Sequence, residues 1–144
     1  MSEADQRQTT IKLLRPLDAF SVENTICLPG TPDMNYGGVY KGVRYEGWIE
    51  LKWEGDWPVR GGPLRLPHYT PQQKVFARRR RHRGGACYLL LTVARDWILL
   101  DGAVAATLPL GEVPRGEIIE AAIAHWERVP TREELITCLS PTVS

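Results

Sequence analysis

Residues 86–93 (ACYLLLTV) place the strongest constraint on what this chain can fold into. A run with so few polar positions is typical of a β-strand covered on both faces, because a strand with one solvated face alternates apolar and polar residues. Such a strand needs a layer of structure on either side of its sheet. The preceding segment supplies one layer, since Thr70, Pro71 and Gln73 form the start of a predicted helix with a capping box. The pattern therefore predicts an α/β fold.

The remaining periodicity predicts a mixed β-sheet flanked by helices, with a small helical addition at the C-terminal end. Before the apolar strand we expect a helix over residues 6–17, strands over 20–28, 34–40 and 43–53, a surface loop over 55–67 and a helix over 70–82. After it we expect a β-hairpin over residues 96–108 around Asp101-Gly102, an amphipathic helix over 117–128, and a short helix capped by Thr131 and Glu134. We expect one domain over residues 1–144, with its core at about 5–108 and the C-terminal helices at about 115–140.

The composition is that of an ordinary globular domain, with 144 residues of which 43% are hydrophobic and 24% charged. No apolar run approaches the roughly 20 residues that cross a bilayer, and the polar N-terminal segment is not typical of a secretory signal. We therefore expect a cytoplasmic protein with no membrane partner. The three cysteines lack paired spacing, and so do the three histidines. Any metal ion would then be held by oxygen atoms rather than by a zinc-type ligand set.

The net charge of +1 conceals a strong asymmetry along the chain. Residues 57–95 contain no acidic residue and nine of the eighteen lysines and arginines, whereas residues 96–144 contain eight acids and three bases. A basic block in an otherwise acidic chain indicates a polyanionic partner, and nucleic acid is the usual one.

The strand around residues 48–53 carries the first candidate chemistry. Successive side chains of a strand point to opposite faces, so Glu50 and Lys52 share one face while Ile49 and Leu51 share the other. One carboxylate and one ammonium group therefore project into the same space, roughly 7 Å apart along the strand. An isolated pair of this kind also occurs on any half-exposed strand, so it needs a further feature.

Asp33 supplies that feature. It follows a turn made of Gly30, Thr31 and Pro32, at the point where the second predicted strand begins. A hairpin between the second and third strands would bring Asp33 next to Glu50. Two close carboxylates repel each other unless a proton or a cation joins them, so the pair indicates Mg²⁺ or Mn²⁺.

These segments resemble a known family. Residues 30–33 (Gly-Thr-Pro-Asp), 50–52 (Glu-Leu-Lys) and the helix start at 70–73 (Thr-Pro-Gln-Gln) resemble the PD-(D/E)xK nuclease superfamily, and within it the VRR-NUC group of virus-type replication-repair nucleases. The resemblance covers residues from about 20 to 95. It implies a restriction-endonuclease-like core and a phage or prophage protein, which would then act in the host cytoplasm.

The resemblance also implies roles for individual residues. Asp33 and Glu50 would hold the divalent ion, together with the backbone carbonyl of Leu51, and Lys52 would orient or activate water. Gln73 would face the catalytic centre, although its role as a plain capping residue is an equal alternative.

Many members of the family carry a glutamate on the first helix, and this sequence departs from that pattern. Its first predicted helix contains no glutamate. We take Glu23 as the best substitute and Asp18 as the second.

The arginine run Arg78–Arg81 cannot lie on a single helix face, because four successive residues at 100° each sweep about 300° around the axis. At least one must turn toward the sheet or a partner, and the others are candidates for phosphate contact. The full set of candidate DNA-binding residues is Lys74, Arg78, Arg79, Arg80, Arg81, Arg83, Arg60 and Arg65.

The leading functional hypothesis is a metal-dependent DNA endonuclease, a phosphodiester hydrolase that acts on flapped, forked or branched DNA in replication, repair or recombination. One alternative is a four-way-junction resolvase acting as a homodimer, whose interface would include the apolar set of the C-terminal helix: Ile118, Ile119, Ala122, Ile123 and Trp126. Another is a DNA-binding or interaction subunit that has the fold but does not cleave.

Overall fold

The structure is a computed structural model that describes residues 1–22 and 28–142. Its five α-helices within these residues are α1 (Glu3–Leu13), α2 (Pro71–His82), α3 (Gly102–Thr107), α4 (Arg115–Ala121) and α5 (Arg132–Thr137). Its strands are β1 (Phe20–Ser21), β2 (Met34–Tyr40), β3 (Val43–Glu54), β4 (Cys87–Val93), β5 (Asp96–Asp101) and β6 (Ala124–Trp126). A short 3-10 helix, Arg15–Leu17, follows α1. Over the described ranges, no helix combines the length and the apolar character needed to cross a membrane.

All six strands belong to one sheet, in the order β1-β2-β3-β4-β5-β6. β3 and β4 are parallel, and every other neighbouring pair is antiparallel. A parallel pair needs a crossover connection, which here contains α2 and the loop before it. The predicted α/β fold with a mixed sheet flanked by helices is confirmed.

β4 is the central strand, and all seven of its residues are buried. Leu90 points to the face covered by α1 and α5, where it joins the cluster that contains Ile49 and Leu51 of β3. Leu89 and Leu91 point to the other face, which the loop before α2, together with α3 and α4, covers. The burial of this apolar run on both faces is what the sequence predicts, and it fixes which face of β3 remains for polar groups.

The N-terminal elements are shorter than predicted. The expected helix over 6–17 is divided into α1 and the 3-10 helix, because Pro16 lacks the backbone N–H that would continue α1. Of the expected strand over 20–28, the structure shows β1, which pairs with the start of β2. Residues 23–27 of that prediction lie outside the described residues.

The predicted hairpin over 96–108 is wrong. The carboxylate of Asp101 accepts hydrogen bonds from the N–H groups of Ala103 and Val104, so it caps a helix instead of opening a turn. Alanine-rich residues then form α3. The actual hairpin joins β4 to β5, with Ala94 in the left-handed conformation between the paired residues Val93 and Asp96.

The predicted helix over 117–128 is also wrong in its second half. The helix ends at Ala121, and β6 adds a strand to the edge of the sheet beside β5. Most of the apolar set proposed for a dimer interface is used inside the chain, because Ile118 is fully buried and Trp126 packs on the core. Ile123 is the member that stays exposed, at 45%.

Asp96, at the start of β5, joins three separate segments. Its carboxylate accepts hydrogen bonds from Trp57 Nε1 at 2.7 Å and from Arg115 Nε and Nη2 at 3.0 and 3.2 Å, and it lies 2.6 Å from His125 Nε2. Burial raises the pKa of Asp96, but the hydrogen bonds from Arg115, His125 and Trp57 outweigh it and lower the pKa to about 2. Asp96 therefore links the loop after β3 to α4 and β6 as a carboxylate.

We predict that Asp96→Asn lowers the free energy of unfolding by about 2 kcal/mol at pH 7, because it removes the buried charged acceptor that Trp57, Arg115 and His125 share. Since folding lowers the pKa of Asp96, its stabilising effect is complete above pH 4 and is lost as the pH falls toward 2. Urea unfolding of wild type, Asp96→Asn and the control Glu112→Gln at pH 7 and pH 3 measures this. An equal decrease in the free energy of unfolding in Asp96→Asn and Glu112→Gln would contradict the prediction.

Candidate active site

The candidate site lies where β2 begins. Met34, the first residue of β2, pairs with Ile49 of β3, and β3 continues beyond this pair to Glu54. The N–H of Leu51 therefore has no strand partner on that side, and it donates to Asp33 Oδ2 at 2.9 Å. This bond holds the Asp33 side chain against β3, as the hairpin predicted from sequence requires.

Glu50 lies directly beside Asp33 and is almost completely buried, with 5% of its surface exposed. Burial, followed by the hydrogen bond and the negative charge of Asp33, raises the pKa of Glu50 to about 9. We assign the shared proton to Glu50, because Asp33 accepts the Leu51 N–H and contacts Arg7, whereas Glu50 lies deeper. Among the described residues, Glu50 Oε1 has no hydrogen-bond partner.

Lys52 lies on the same face as Glu50, as the strand alternation predicts, with its Nζ atom 3.4 Å from Glu50 Oε2. Its Nζ atom is also 5.9 Å from the centre of the Tyr69 ring, and Lys74 Nζ is 5.2 Å from the same centre. Tyr69 is buried in the loop before α2, so its ring provides a fixed surface for both ammonium groups.

Two residues of α1 complete the site and were missed by the sequence analysis. Arg7 Nη2 lies 3.5 Å from Asp33 Oδ1. Gln6 is fully buried, and its Nε2 atom lies within hydrogen-bond distance of Lys52 O, Leu90 O and Thr92 Oγ1 at 2.9, 3.2 and 2.9 Å. Gln6 therefore fixes the backbone at Lys52. One sequence feature could have indicated the role of Gln6. Gln6 and Thr10 are four residues apart and so lie on the same face of α1, and they are its two buried residues.

The carboxylate pair fits a hard divalent cation. Carboxylate and carbonyl oxygens are the ligands that Mg²⁺ and Mn²⁺ prefer, and Glu50 contributes a buried oxygen without a partner. The N–H and C=O groups of one strand residue point toward the same neighbour, so the C=O of Leu51 also points to the side where Asp33 lies. The set Asp33, Glu50 and the Leu51 carbonyl therefore has the chemistry of an oxygen-ligand site.

The other two residues proposed as catalytic are not brought to this centre by the described contacts. The Gln73 side chain accepts the Thr70 N–H at 2.9 Å, which completes the capping box of α2. Glu23 lies outside the described residues. Asp18 is exposed at the end of the 3-10 helix, in the left-handed conformation. A catalytic role for Gln73 or Glu23 stays a prediction.

The arginines of α2 separate into two groups. Arg81 is the one that turns toward the sheet, where it pairs with Asp101 at 2.6 Å and stacks over the Tyr88 ring at 4.8 Å. The Arg81 guanidinium is therefore used in contacts within the protein and is not available to bind a ligand. The exposed basic residues of the region are Arg78, Arg79, Arg80 and Arg83 near the end of α2, and Arg60 and Arg65 in the preceding loop.

A second group of possible metal ligands lies at the opposite end of the sheet, where one oxygen or nitrogen atom each of Asp96, His125 and Glu127 lie within 4.8 Å of one another. The sequence analysis missed it because the three residues are distant along the chain. Arg115 already occupies its centre, with contacts to Asp96 and to Glu127 at 3.7 Å. We interpret this group as an ion-pair network, since an arginine and a metal ion would compete for the same carboxylates.

Comparison with solved structures supports the fold. The chain is similar to a 1.6 Å structure of Archaeoglobus fulgidus Hjc, a Holliday junction resolvase from an archaeal hyperthermophile, with a TM-score of 0.54 and 18% sequence identity. The match covers 84% of this chain and 93% of that chain. Comparison with protein-family models gives no match, and neither does comparison with curated proteins.

We predict that Glu50→Gln stabilises the metal-free protein by about 2 kcal/mol at pH 8, with a much smaller effect at pH 5. Folding raises the pKa of Glu50, so above pH 4.5 the unfolded chain releases a proton that the folded chain keeps. Stability therefore falls as the pH rises toward 9, and glutamine removes this penalty. Urea unfolding in EDTA at both pH values measures the difference.

A thermal-shift measurement with added Mn²⁺ tests whether Asp33 and Glu50 bind a metal ion. Mn²⁺ should raise the melting temperature of the wild type but not of Glu50→Gln, because the variant loses an anionic oxygen ligand. The control Glu54→Gln changes a carboxylate on the same face of β3 and should keep the Mn²⁺ shift. A Mn²⁺ shift of equal size in Glu50→Gln would remove Glu50 from the metal site.

Proposed function

We propose that this protein is a divalent-metal-dependent endodeoxyribonuclease with Asp33, Glu50 and Lys52 at its catalytic centre. The observation that carries the proposal is the pair of Asp33 with the buried Glu50, and a lysine 3.4 Å from Glu50. A carboxylate pair with this raised pKa is costly for folding, and a metal-binding role gives a reason for it. The pattern of Asp, Glu-x-Lys and a following helix supports membership of the PD-(D/E)xK superfamily and its VRR-NUC group.

Asp33, Glu50 and the carbonyl of Leu51 would hold Mg²⁺ or Mn²⁺. When bound, such an ion lowers the pKa of water and neutralises charge that develops on the phosphate. Glu50 must lose its proton to become a ligand, so the affinity for the ion should rise with pH.

The protein side chains around the pair orient the reactants. Lys52 contacts Glu50 and lies near the Tyr69 ring. From this position its ammonium group would stabilise the negative charge of the attacked phosphate. Gln6 keeps the Lys52 backbone in place. Arg7 restrains Asp33 and is partly exposed, so it adds a second positive charge at the rim.

The exposed basic residues of α2 and the preceding loop form the proposed DNA surface. Lys74 Nζ lies over the Tyr69 ring, as Lys52 Nζ does. Burial raises the pKa of Tyr69, and the nearby positive charge of Arg78 partly opposes that rise. These cations would contact phosphates on either side of the one that is cleaved. We leave Arg81 out of this surface, because its charge is paired with Asp101.

Forked, flapped or branched DNA is the proposed substrate class, in replication, repair or recombination. The similarity to a Holliday junction resolvase supports a four-way-junction resolvase as the second candidate, which would act as a homodimer to make paired cuts. A phage or prophage source and a place in the cytoplasm belong to the same proposal. A binding or interaction subunit without cleavage is less well supported, since it would have no use for the buried carboxylate pair.

We predict that Asp33→Asn and Lys52→Ala each lower the cleavage rate by at least about 100-fold while DNA binding changes little, because both residues act on the scissile phosphate rather than on the duplex. The assay is cleavage of flap, fork, four-way-junction, single-stranded and linear duplex DNA with Mg²⁺ or Mn²⁺. The control Asp56→Asn changes an exposed carboxylate in the loop after β3 and should retain activity. Full activity in either site variant would refute the assignment of the centre.

We also predict that replacing Arg78 and Arg80 by glutamine weakens DNA binding and makes the slope of log K against log salt less negative by about two, one unit for each phosphate that the protein no longer neutralises. Fluorescence anisotropy between 50 and 200 mM salt measures the slope. Arg15→Gln is the control, since Arg15 is exposed in the 3-10 helix after α1, away from α2. An unchanged slope in the double variant would exclude both residues from the DNA surface.

A further inference from the structure

We propose that a groove beside the carboxylate pair, lined by Trp48, Asn35 and Arg80, binds one unpaired nucleotide of the DNA strand that is cut. Trp48 and Asn35 would contact its base, and Arg80 its phosphate. The proposal rests on the proposed nuclease function and deepens it, because it assigns a subsite that distinguishes branched DNA with an unpaired base from fully paired duplex.

The position of the groove follows from the strand register. Trp48 and Asn35 are paired across β2 and β3, and each lies two residues from one member of the carboxylate pair, Glu50 or Asp33. Side chains two residues apart on a strand share a face at roughly 7 Å. Trp48 and Asn35 therefore lie on the same face as the carboxylates, about one or two nucleotides from the scissile phosphate. From them the groove extends to Ser140 and Thr142.

The groove has room for a nucleobase. Its volume is about 290 Å³, and its lining includes Gly47, Gly85 and Ala86, which have little or no side chain. Gly47 must stay small, because a Cβ atom there would lie 2.5 Å from the Tyr36 hydroxyl oxygen and 2.8 Å from Ala86. The groove is also lined by Glu46, Arg81 and residues 140–142. Within this lining the Trp48 ring lies beside the small residues as a flat surface on which a base would stack without regard to sequence.

Trp48 is half-buried and held in a fixed orientation. Its ring meets the Phe76 ring edge-to-face, with centroids 5.7 Å apart. Asn35 donates its amide N–H to the carbonyl of Gly47 at 3.0 Å, which leaves its oxygen as an acceptor at the groove. An aromatic surface with one polar acceptor beside it matches the stacking face and the donor edge of a base.

Arg80 supplies the charge. Its guanidinium carbon lies 5.9 Å from the Trp48 ring centre and 5.2 Å from that of Phe76, so two aromatic rings orient it at the groove. Over the described ranges, no carboxylate pairs with Arg80, in contrast to the neighbouring Arg81. A second groove of about 400 Å³ shares Arg80 with Arg79 and Arg83, which extends the positive charge beyond the base position. The phosphate of the nucleotide whose base stacks on Trp48 would then bind Arg80.

The experiment is a position scan with labelled fork DNA, read as binding by fluorescence anisotropy in EDTA. In one series each nucleotide around the branch is replaced in turn by an abasic unit, and in the other each phosphate by a neutral methylphosphonate. Wild type should show one position, next to the cleavage site, where the abasic unit weakens binding about 10-fold. Trp48→Leu should lose this dependence, and Arg80→Gln should lose the response to the methylphosphonate at the adjoining phosphate.

Arg15→Gln is the control, because it removes an exposed arginine from the 3-10 helix after α1 and should keep both responses. Trp48 also packs on Phe76, so if Trp48→Leu does not fold, the Arg80→Gln series with the methylphosphonate decides alone. A flat scan in the wild type, or unchanged responses in Trp48→Leu and Arg80→Gln, would overturn the subsite.

Cleavage is measured separately on the unmodified fork with Mn²⁺. A position response in EDTA without any cleavage would support the subsite and contradict the nuclease. Cleavage with a flat scan would contradict the subsite alone.

Discussion

The C-terminal end of β3 extends beyond Met34, the first residue of β2, and the Asp33 carboxylate takes the place of the missing strand partner. Because it accepts the Leu51 N–H, Asp33 is fixed next to the buried Glu50, on an edge where the backbone would otherwise lack a hydrogen bond. Two carboxyl groups then share a nearly dry position, and the chain meets the electrostatic cost by keeping a proton on Glu50. Two further elements contact this centre. Arg7 of α1 pairs with Asp33, and Tyr69 in the loop before α2 lies next to the ammonium group of Lys52.

Charge is arranged in layers around that pair. The acids lie deep, Lys52 lies beside them, and most of the arginines of α2 lie at the surface, so a polyanion approaching the proposed centre meets positive charge first. The exception, Arg81, shows how the helix accommodates four successive arginines. Its guanidinium stacks on Tyr88 and pairs with Asp101, the residue that also caps α3. One arginine thus connects two helices and the sheet, while its neighbours remain available to a ligand.

Local signals in the sequence were sufficient for the elements that contain them. The capping box at Thr70 predicted the start of α2, and the apolar run predicted β4 within one residue. Prediction failed where a local signal has two meanings. Asp101-Gly102 is typical of a hairpin turn, but Asp101 is also a good helix cap, and the close packing of Gly102 against the carbonyl of Cys87 favours the helix. The strand β6 was missed because its three residues carry too little pattern to be distinguished from the end of a helix.

By itself, the sequence determined which face of β3 carries Glu50 and Lys52, because strand alternation needs no partner to be read. It also determined that at least one arginine of α2 must turn inward, because the helical period allows no other result. The sequence placed Asp33 beside Glu50 only if the predicted hairpin forms, and the tertiary structure decided that it does. Only the tertiary structure decided that Arg7 and Gln6 join them from α1, and that Trp48 lines a groove beside them. Those are contacts between residues up to 86 positions apart, and they depend on strand register and on the packing of helices against the sheet. Neither the strand register nor the packing of the helices can be read directly from the local pattern of residues along the chain.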